Sequence, residues 1–187
     1  IDKKLSKLLQ MNVYKIDSDL LLKNSLISFR NPLHFATTAY SKKLHDKIEG
    51  YSWGGIMGPD KAFVYNLLSV SKKVYLLDKP LFGYRMHESN NLSSQSNERS
   101  LKYLVDSYVL TINLNKSVLN FAKISREKFI DSFIKNPIAL RVLQKLSFFE
   151  LIYAFRILLF GLSCYPKKCI KSPSYIFSLI LFIVFPF

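Results

Sequence analysis

Three residues that could do chemistry stand close together in residues 54–93, GGIMGPDKAFVYNLLSVSKKVYLLDKPLFGYRMHESNNLS. Asp60 follows a Gly-Pro pair at the start of a segment with helical periodicity. If its carboxylate faces a cleft, it could act as a general base. Arg85 and His87 end a short alternating run. They offer a bidentate cation and a metal ligand or hydrogen-bond donor, which are the groups that a departing diphosphate needs.

Each of these residues also has a structural interpretation. A carboxylate at a helix N-terminus is stabilised as the anion by the helix dipole and by free N–H groups, so Asp60 could be an ordinary N-terminal charge. Arg85 could simply pair with an acid at the end of a strand. The residues by themselves leave both interpretations open.

Weaker signals lie N-terminal to this stretch. Asp17-x-Asp19 could share a divalent cation, but no glycine or third acid follows the pair, and a surface turn is the favoured interpretation. His34 follows a proline turn and could face a pocket or form a structural hydrogen bond. His45 lies in a lysine-rich segment, where we expect it to be solvated.

A glycine-rich loop, EGYSWGGIMGPD, precedes the predicted helix. Such loops often carry function because a rigid scaffold holds them near ligands. Trp53, beside Gly54 and Gly55, could stack on a sugar or a base, or it could anchor the loop by burial.

Periodicity predicts the elements that position these residues. Apolar residues recur at helical spacing after Pro59, and proline is accepted in a first helical turn. The run KVYLL, residues 73–77, is predicted to be a buried strand. Alternation over residues 81–87 then places Arg85 and His87 on the same face.

Most of the remaining chain is predicted to be helical, although residues 12–30 show a mixed pattern. The predicted helices are a helical end in residues 1–12, a helix capped by Ser41, an amphipathic helix over 98–122, and a helix capped by Ser125 in which Lys128 opposes Asp131.

Beyond Pro137 the composition becomes apolar. LSFFELIYAFRILLFGL is interrupted by Glu150 and Arg156, and SYIFSLILFIVFPF has 14 residues, fewer than the ~20 that span a bilayer as a helix. The basic segment YPKKCIKSP joins them. This pattern indicates a membrane-surface hairpin or interfacial helices. A helical subdomain that packs on the core and a truncated transmembrane segment are the alternatives.

Composition limits the class of partner. The net charge of +14 favours an anionic partner, while 49% hydrophobic and 14% aromatic residues exclude a disordered basic tail. The lysines are scattered and match no nucleic-acid motif, so we expect no nucleic-acid partner. Cys164 and Cys169 have no nearby histidine or cysteine and suit reduced thiols better than zinc.

Residues 50–93 together resemble the C-terminal half of the catalytic domain of family 2 glycosyltransferases, which are inverting, nucleotide-sugar-dependent enzymes with a GT-A fold. The family pattern is a glycine-rich loop, an acid that opens a helix, a strand, Pro-Leu, Tyr-Arg-x-His and an Asn/Ser loop. The residues that match it in order and spacing are Asp60, Pro80-Leu81, Tyr84-Arg85, His87 and Asn90 to Ser93. The resemblance covers roughly residues 25–95.

The resemblance implies a role for each matching residue. Asp60 would be the catalytic base, and His87 would lie near the diphosphate or its Mg²⁺ or Mn²⁺, supported by Arg85. Trp53, Gly54, Gly55 and His34 would border the acceptor. The partners it implies are a nucleotide-sugar donor and a glycan or lipid-linked acceptor. Pro59 stands where many relatives carry glutamate, so a second carboxylate at this point is missing.

The expected fold class is α/β: a partial GT-A-like (incomplete Rossmann-like) domain followed by an α-helical C-terminal region. Residues 1–97 would form the acceptor-side part, 98–146 an amphipathic helical region, and 147–187 a membrane-associating tail. The nucleotide-binding half has no counterpart here and the chain starts within an element, so we expect a fragment.

The expected setting is peripheral, on the anionic cytoplasmic face of a bacterial inner membrane, in surface polysaccharide synthesis. The alternative is a non-catalytic membrane-surface or interaction module derived from such an enzyme.

Overall fold

The computed structural model describes residues 1–33, 37–48, 59–81, 83, 97–147 and 150–184. The chain divides into two compact units. Unit 1 comprises Ile1–Ser25, Arg30–Gln95 and Asn115–Lys123, and unit 2 comprises Leu26–Phe29, Ser96–Leu114 and Ile124–Phe187.

The described elements are mostly helices. In chain order they are α1 (Lys3–Leu9), β1 (Val13–Asp17), α2 (Ser18–Ser28), α3 (Lys42–His45), α4 (Pro59–Val70), β2 (Lys73–Leu77), α5 (Asn97–Asn113), α6 (Lys116–Phe121), α7 (Arg126–Phe133), a π-helical segment (Ile134–Leu140), α8 (Arg141–Ser147), α9 (Leu151–Cys164), α10 (Pro166–Lys171) and α11 (Pro173–Val184). The expected α-helical C-terminal region is confirmed, whereas the GT-A part of the expectation remains a proposal.

Two helix starts that the sequence predicts are confirmed. Ser41 Oγ accepts a hydrogen bond from the Leu44 amide at 3.3 Å at the start of α3, and Ser125 Oγ accepts one from the Lys128 amide at 3.2 Å at the start of α7. Both caps depend only on a side-chain oxygen reaching a backbone amide three residues later, so they can be predicted locally.

The single helix expected over residues 98–122 is two helices. The chain leaves α5 at Asn113, and the Asn115 side chain accepts a hydrogen bond from the Ser117 amide at 2.9 Å, which starts α6. The Arg126 guanidinium donates to the carbonyls of Thr111 and Leu114 and so satisfies acceptors at the end of α5. Apolar residues continue on both sides of this break, so the periodicity did not indicate that a second helix begins after Asn115.

The described strands form one antiparallel pair, in which Val13 lies opposite Leu77 and Asp17 opposite Lys73. The mixed pattern of residues 12–30 did not reveal β1 or α2. The strand predicted at residues 73–77 is confirmed, but its predicted burial is wrong, because Tyr75, Leu76 and Leu77 are exposed. Whether a strand is buried depends on which elements pack on its faces, and the residues of the strand itself do not specify those elements.

An aromatic cluster forms the core of unit 2. The Phe133 ring lies 5.9 Å from Phe29, 6.3 Å from Tyr108 and 6.0 Å from Tyr165 between centroids, and Phe29 stacks on Phe129 at 5.3 Å. Phe29 follows the end of α2 with φ 55°, a left-handed conformation that glycine usually supplies at a helix C-terminus. Burial of its ring against two phenylalanines offsets that backbone cost.

The C-terminal helices of unit 2 are held by buried hydrogen bonds. Tyr175 Oη donates to the Leu158 carbonyl at 2.7 Å, and Ser178 Oγ lies within hydrogen-bonding distance of the Ala139 carbonyl, at 3.1 Å, and of the Ser174 carbonyl in its own helix, at 2.9 Å. A Cβ at Gly161 would lie 3.0 Å from Ile138 Cγ2 and 3.1 Å from Tyr175 Cε2, a tight contact that the glycine avoids where these helices meet. No helix among the described residues is long and apolar enough to cross a membrane.

Unit 2 is expected to lose stability above about pH 9. Burial raises the pKa of Cys164 and of Cys169 from 9.0 to about 11, and burial, with the nearby Tyr108 and Cys164 groups, raises the pKa of Tyr165 to about 12. Below pH 9 these groups are protonated in both states. Between pH 9 and about 11 the unfolded chain releases thiol protons that the folded unit retains, so the free energy of unfolding falls as pH rises.

Urea unfolding under reducing conditions from pH 7.5 to 10.5 measures this effect. The Cys164→Ala/Cys169→Ala variant is expected to lose less stability over the same interval. A wild-type midpoint that stays constant up to pH 10.5 would contradict the assignment.

Candidate functional site

Asp60 lies in the first turn of α4, and its side chain is half-buried. The helix begins at Pro59, so the predicted arrangement of an acid that opens a helix is confirmed. The amides of a first helical turn have no intrahelical acceptor, and their partial positive charge stabilises a carboxylate there. A carboxylate in this position that faces a cleft could accept a proton from a bound hydroxyl.

The position of α4 within unit 1 is set by buried contacts along its length. Tyr65 is fully buried, and its hydroxyl lies within hydrogen-bonding distance of the carbonyls of Ser25, at 3.3 Å, and Arg30, at 3.1 Å, at the C-terminal end of α2. Just beyond α4, Ser71 Oγ donates to Ser18 Oγ at 2.8 Å. The helix that carries Asp60 is therefore anchored to both ends of α2.

An aromatic cluster lies against the N-terminal half of α4. The Phe63 ring centroid is 5.4 Å from that of Tyr40 and 6.3 Å from that of His45, and the Tyr40 and His45 rings stack at 6.2 Å. Phe63 follows Asp60 by three residues, so the two side chains lie on neighbouring positions of one helix face. Phe63 is itself buried, whereas Tyr40 and His45 are half-buried, so the cluster fixes the N-terminal half of α4 and leaves parts of the Tyr40 and His45 rings at the surface.

The sequence interpretation did not associate Tyr40 with Asp60. One local signal was present: Tyr40 directly precedes the N-cap Ser41, the position where an apolar residue commonly packs on a helix. His45, expected to be solvated, is half-exposed; its ring stacks on Tyr40 and its Nδ1 lies 3.5 Å from an Asp46 oxygen.

A cavity of about 680 Å³ opens in unit 1 on the other half of α4. Its walls come from residues 32–33 and 37–41, Leu44, the end of α4 and the whole of β2. Lys73, which pairs with Asp17, and Lys79 are among the described lining residues, none of which is acidic, and most of the others are apolar, so these walls suit a partly apolar ligand. Asp60 does not line it, since the lining begins at Leu67, about 10 Å further along the helix.

The Asp17-x-Asp19 pair is not brought together as a metal site. Asp17, at the end of β1, forms an ion pair with Lys73, and Asp19 lies in the first turn of α2. Within the described ranges, no three histidine, cysteine, aspartate or glutamate side chains cluster so that they could hold a metal ion. The surface interpretation of this pair is thus the one that fits its surroundings.

The other predicted site residues lie outside the described part of the chain. These are His34, Trp53, Gly54, Gly55, Arg85 and His87. Their roles at the acceptor loop and the diphosphate remain predictions, and so does the divalent cation expected at His87.

The described residues thus define a mostly helical protein in which an acid opens a buried helix, and that same helix contributes to a cavity. Comparison with known proteins adds no family to this description. No family model matches the chain, and neither the curated proteins nor the solved structures include a significant match to it.

Proposed function

We propose that this chain is the acceptor-side part of an inverting, family 2 glycosyltransferase that uses a nucleotide-sugar donor. The observation that carries the proposal is the order of elements over residues 59–81. An acid opens helix α4, strand β2 follows, and Pro80-Leu81 come two residues after the strand ends. This is the order in the family pattern that the sequence resembles.

The proposed reaction uses Asp60 as the base. The Asp60 carboxylate takes the proton of an acceptor hydroxyl while the hydroxyl oxygen forms a bond to the anomeric carbon of the donor sugar. The bond from that carbon to the diphosphate oxygen breaks on the opposite face, and the nucleoside diphosphate leaves with the electron pair. Attack from the face opposite the leaving group inverts the anomeric centre.

Other parts of the site are proposed on the resemblance. Arg85 and His87 would stabilise the charge of the leaving diphosphate, and His87 would hold the Mg²⁺ or Mn²⁺ that neutralises it. The Trp53 loop with Gly54 and Gly55, together with His34, would border the acceptor. The partly exposed rings of Tyr40 and His45, which pack beside the first half of α4, would add a stacking surface for a sugar acceptor. The acceptor would be a glycan or a lipid-linked sugar at the cytoplasmic face of a bacterial inner membrane.

Release of nucleoside diphosphate tests the proposal. The full gene product is incubated with Mg²⁺ or Mn²⁺ and a panel of UDP-, GDP- and dTDP-sugars, with a lipid extract of the source cells as acceptor. We expect one donor to give acceptor-dependent release and a glycosylated product of inverted configuration. Absence of release with every donor, from protein shown to be folded by circular dichroism, would contradict the proposal.

A second function, a non-catalytic membrane-surface module, is favoured by a different observation. The C-terminal helices of unit 2 expose large apolar side chains beside basic ones. A protein that binds lipid vesicles but shows no donor turnover would support this second function over the first.

A further inference from the structure

Helices α9 and α11 of unit 2 each expose a continuous apolar stripe. On α9 it consists of Ile152, Phe155 and Leu159, which are 45% to 69% exposed and spaced by three and four residues. On α11 it consists of Ile176, Phe177, Ile180, Ile183 and Val184, which are 39% to 64% exposed. These intervals place each set on one helix face. The two stripes together are called the apolar surface below.

The distribution of polar and apolar side chains on α11 is the reverse of that expected for a helix in water. Its buried face carries Tyr175 and Ser178, two residues with hydroxyl groups, and each hydroxyl reaches a backbone carbonyl of the same unit. Its exposed face carries large aliphatic and aromatic side chains instead. A helix with its polar groups inside and its apolar groups outside suits a surrounding medium less polar than water.

Helices α9 and α11 contact each other through two aromatic rings. The ring of Phe155 in α9 stacks on the ring of Phe182 in α11, with centroids 5.8 Å apart and planes 18° apart. Phe155 belongs to the α9 stripe, whereas Phe182 lies on the same side of α11 as the covered Tyr175 and Ser178, so this contact packs α11 beside the α9 stripe and leaves the α11 stripe facing outward.

Positive charge accompanies this surface and negative charge does not. Arg156 is exposed on α9 next to the stripe residue Phe155, and Lys167 and Lys171 are exposed on α10, which joins the two helices. Residues 151–184 contain no aspartate or glutamate. The acid that precedes them, Glu150, pairs with Lys145 at 2.8 Å, and Asp131, expected opposite Lys128, pairs with Lys168 at 3.0 Å.

We propose that the apolar surface docks on an anionic lipid bilayer, with α9 and α11 lying in the plane of the interface. The apolar side chains enter the acyl boundary, and Arg156, Lys167 and Lys171 contact lipid phosphates. The helices have 14 and 12 residues, or about 21 and 18 Å, well short of a hydrocarbon core of about 30 Å. A second copy of the chain is a poorer occupant, because it would bring the same positive charges face to face.

Vesicle flotation of the full chain tests the docking surface. Vesicles of pure phosphatidylcholine are compared with vesicles containing about one-third phosphatidylglycerol. We expect the chain to float with the anionic vesicles and much less with the neutral ones. Ile180→Asp should lower binding to the anionic vesicles by at least about 10-fold, because an exposed isoleucine that enters the acyl boundary is replaced by an anion. The matched control is Leu20→Asp, an exposed leucine on α2 of unit 1, which should bind as wild type does.

The charge contribution is tested by removing three cations at once. Arg156→Gln/Lys167→Gln/Lys171→Gln should weaken binding to anionic vesicles by roughly 100-fold, at about fivefold for each charge. Lys42→Gln/Lys43→Gln/Lys47→Gln removes the same charge from exposed positions in unit 1 and should have a small effect.

Several results would overturn the docking proposal. They are equal flotation of wild type with both vesicle types, wild-type binding by Ile180→Asp, and equal losses in the two triple variants. A chain that ignores vesicles but changes from dimer to monomer on Ile180→Asp would assign the surface to self-association. Flotation needs no catalysis, so this proposal does not rest on the glycosyltransferase proposal, and either can fail alone.

Discussion

Asp60→Asn is expected to lower the rate of sugar transfer by about 10²- to 10⁴-fold while leaving donor binding unchanged. The carboxamide has the shape of the carboxylate but cannot take the proton of the acceptor hydroxyl. The proposed donor contacts, through Arg85 and His87, do not involve Asp60. Turnover of the identified donor, together with nucleotide titration by calorimetry, separates the two effects.

The main competing explanation is loss of a helix N-terminal charge, and the chain offers a matched control for it. Asp19 occupies the first turn of α2 as Asp60 occupies the first turn of α4. Both asparagine variants should lose about 0.3–1 kcal/mol of stability from the helix dipole. Only Asp60→Asn should lose transfer. Wild-type turnover by Asp60→Asn, or an equal loss in Asp19→Asn, would remove Asp60 from the role of base.

Phe133→Ala is expected to cost about 3–5 kcal/mol of folding stability, the largest effect predicted for a single side chain in unit 2. Phe133 is 0% exposed and lies among the rings of Phe29, Tyr108 and Tyr165. Removing its ring discards that burial and leaves a cavity that three anchored neighbours cannot fill. Thermal unfolding followed by circular dichroism should show a midpoint lower by on the order of 10 °C.

Phe177→Ala is the control for this loss, since it removes the same atoms from an exposed position. Phe177 is 55% exposed on α11, and its truncation should change stability by less than about 0.5 kcal/mol in the absence of lipid. Comparable losses in the two variants would show that Phe133 is not at the centre of the unit 2 core. A stable Phe177→Ala protein also shows that apolar surface variants remain folded for the vesicle experiments.

Several features of the fold could be predicted because they depend on a few neighbouring residues. Pro59 and Asp60 at the start of α4 follow from what a first helical turn accepts, and Ser41 and Ser125 reach amides three residues away. The strand at residues 73–77 was found for the same reason. Its exposure was not predicted, because pairing with β1 covers only its hydrogen-bonding edge.

The candidate site was predicted only in part. The placement of Asp60 was a local matter, whereas the Tyr40–His45–Phe63 cluster joins residues that are distant in sequence. The cavity likewise draws its walls from three separate segments of unit 1, which only the tertiary structure brings together.

The sequence alone determined that the C-terminal part of this protein is helical, apolar and free of acids after Glu150. Helices α9 and α11 are apolar on nearly every face, so hydropathy could not indicate which face is covered. Tertiary structure decided it: the Tyr175 and Ser178 hydroxyls each reach a backbone carbonyl in the interior of unit 2, and this rotation of α11 leaves Ile180 and its neighbours outside. The covered face of α11 thus carries hydrogen-bonding side chains, because which face is covered depends on the carbonyls and rings that the rest of unit 2 presents to it, and the hydropathy of the segment does not contain that information.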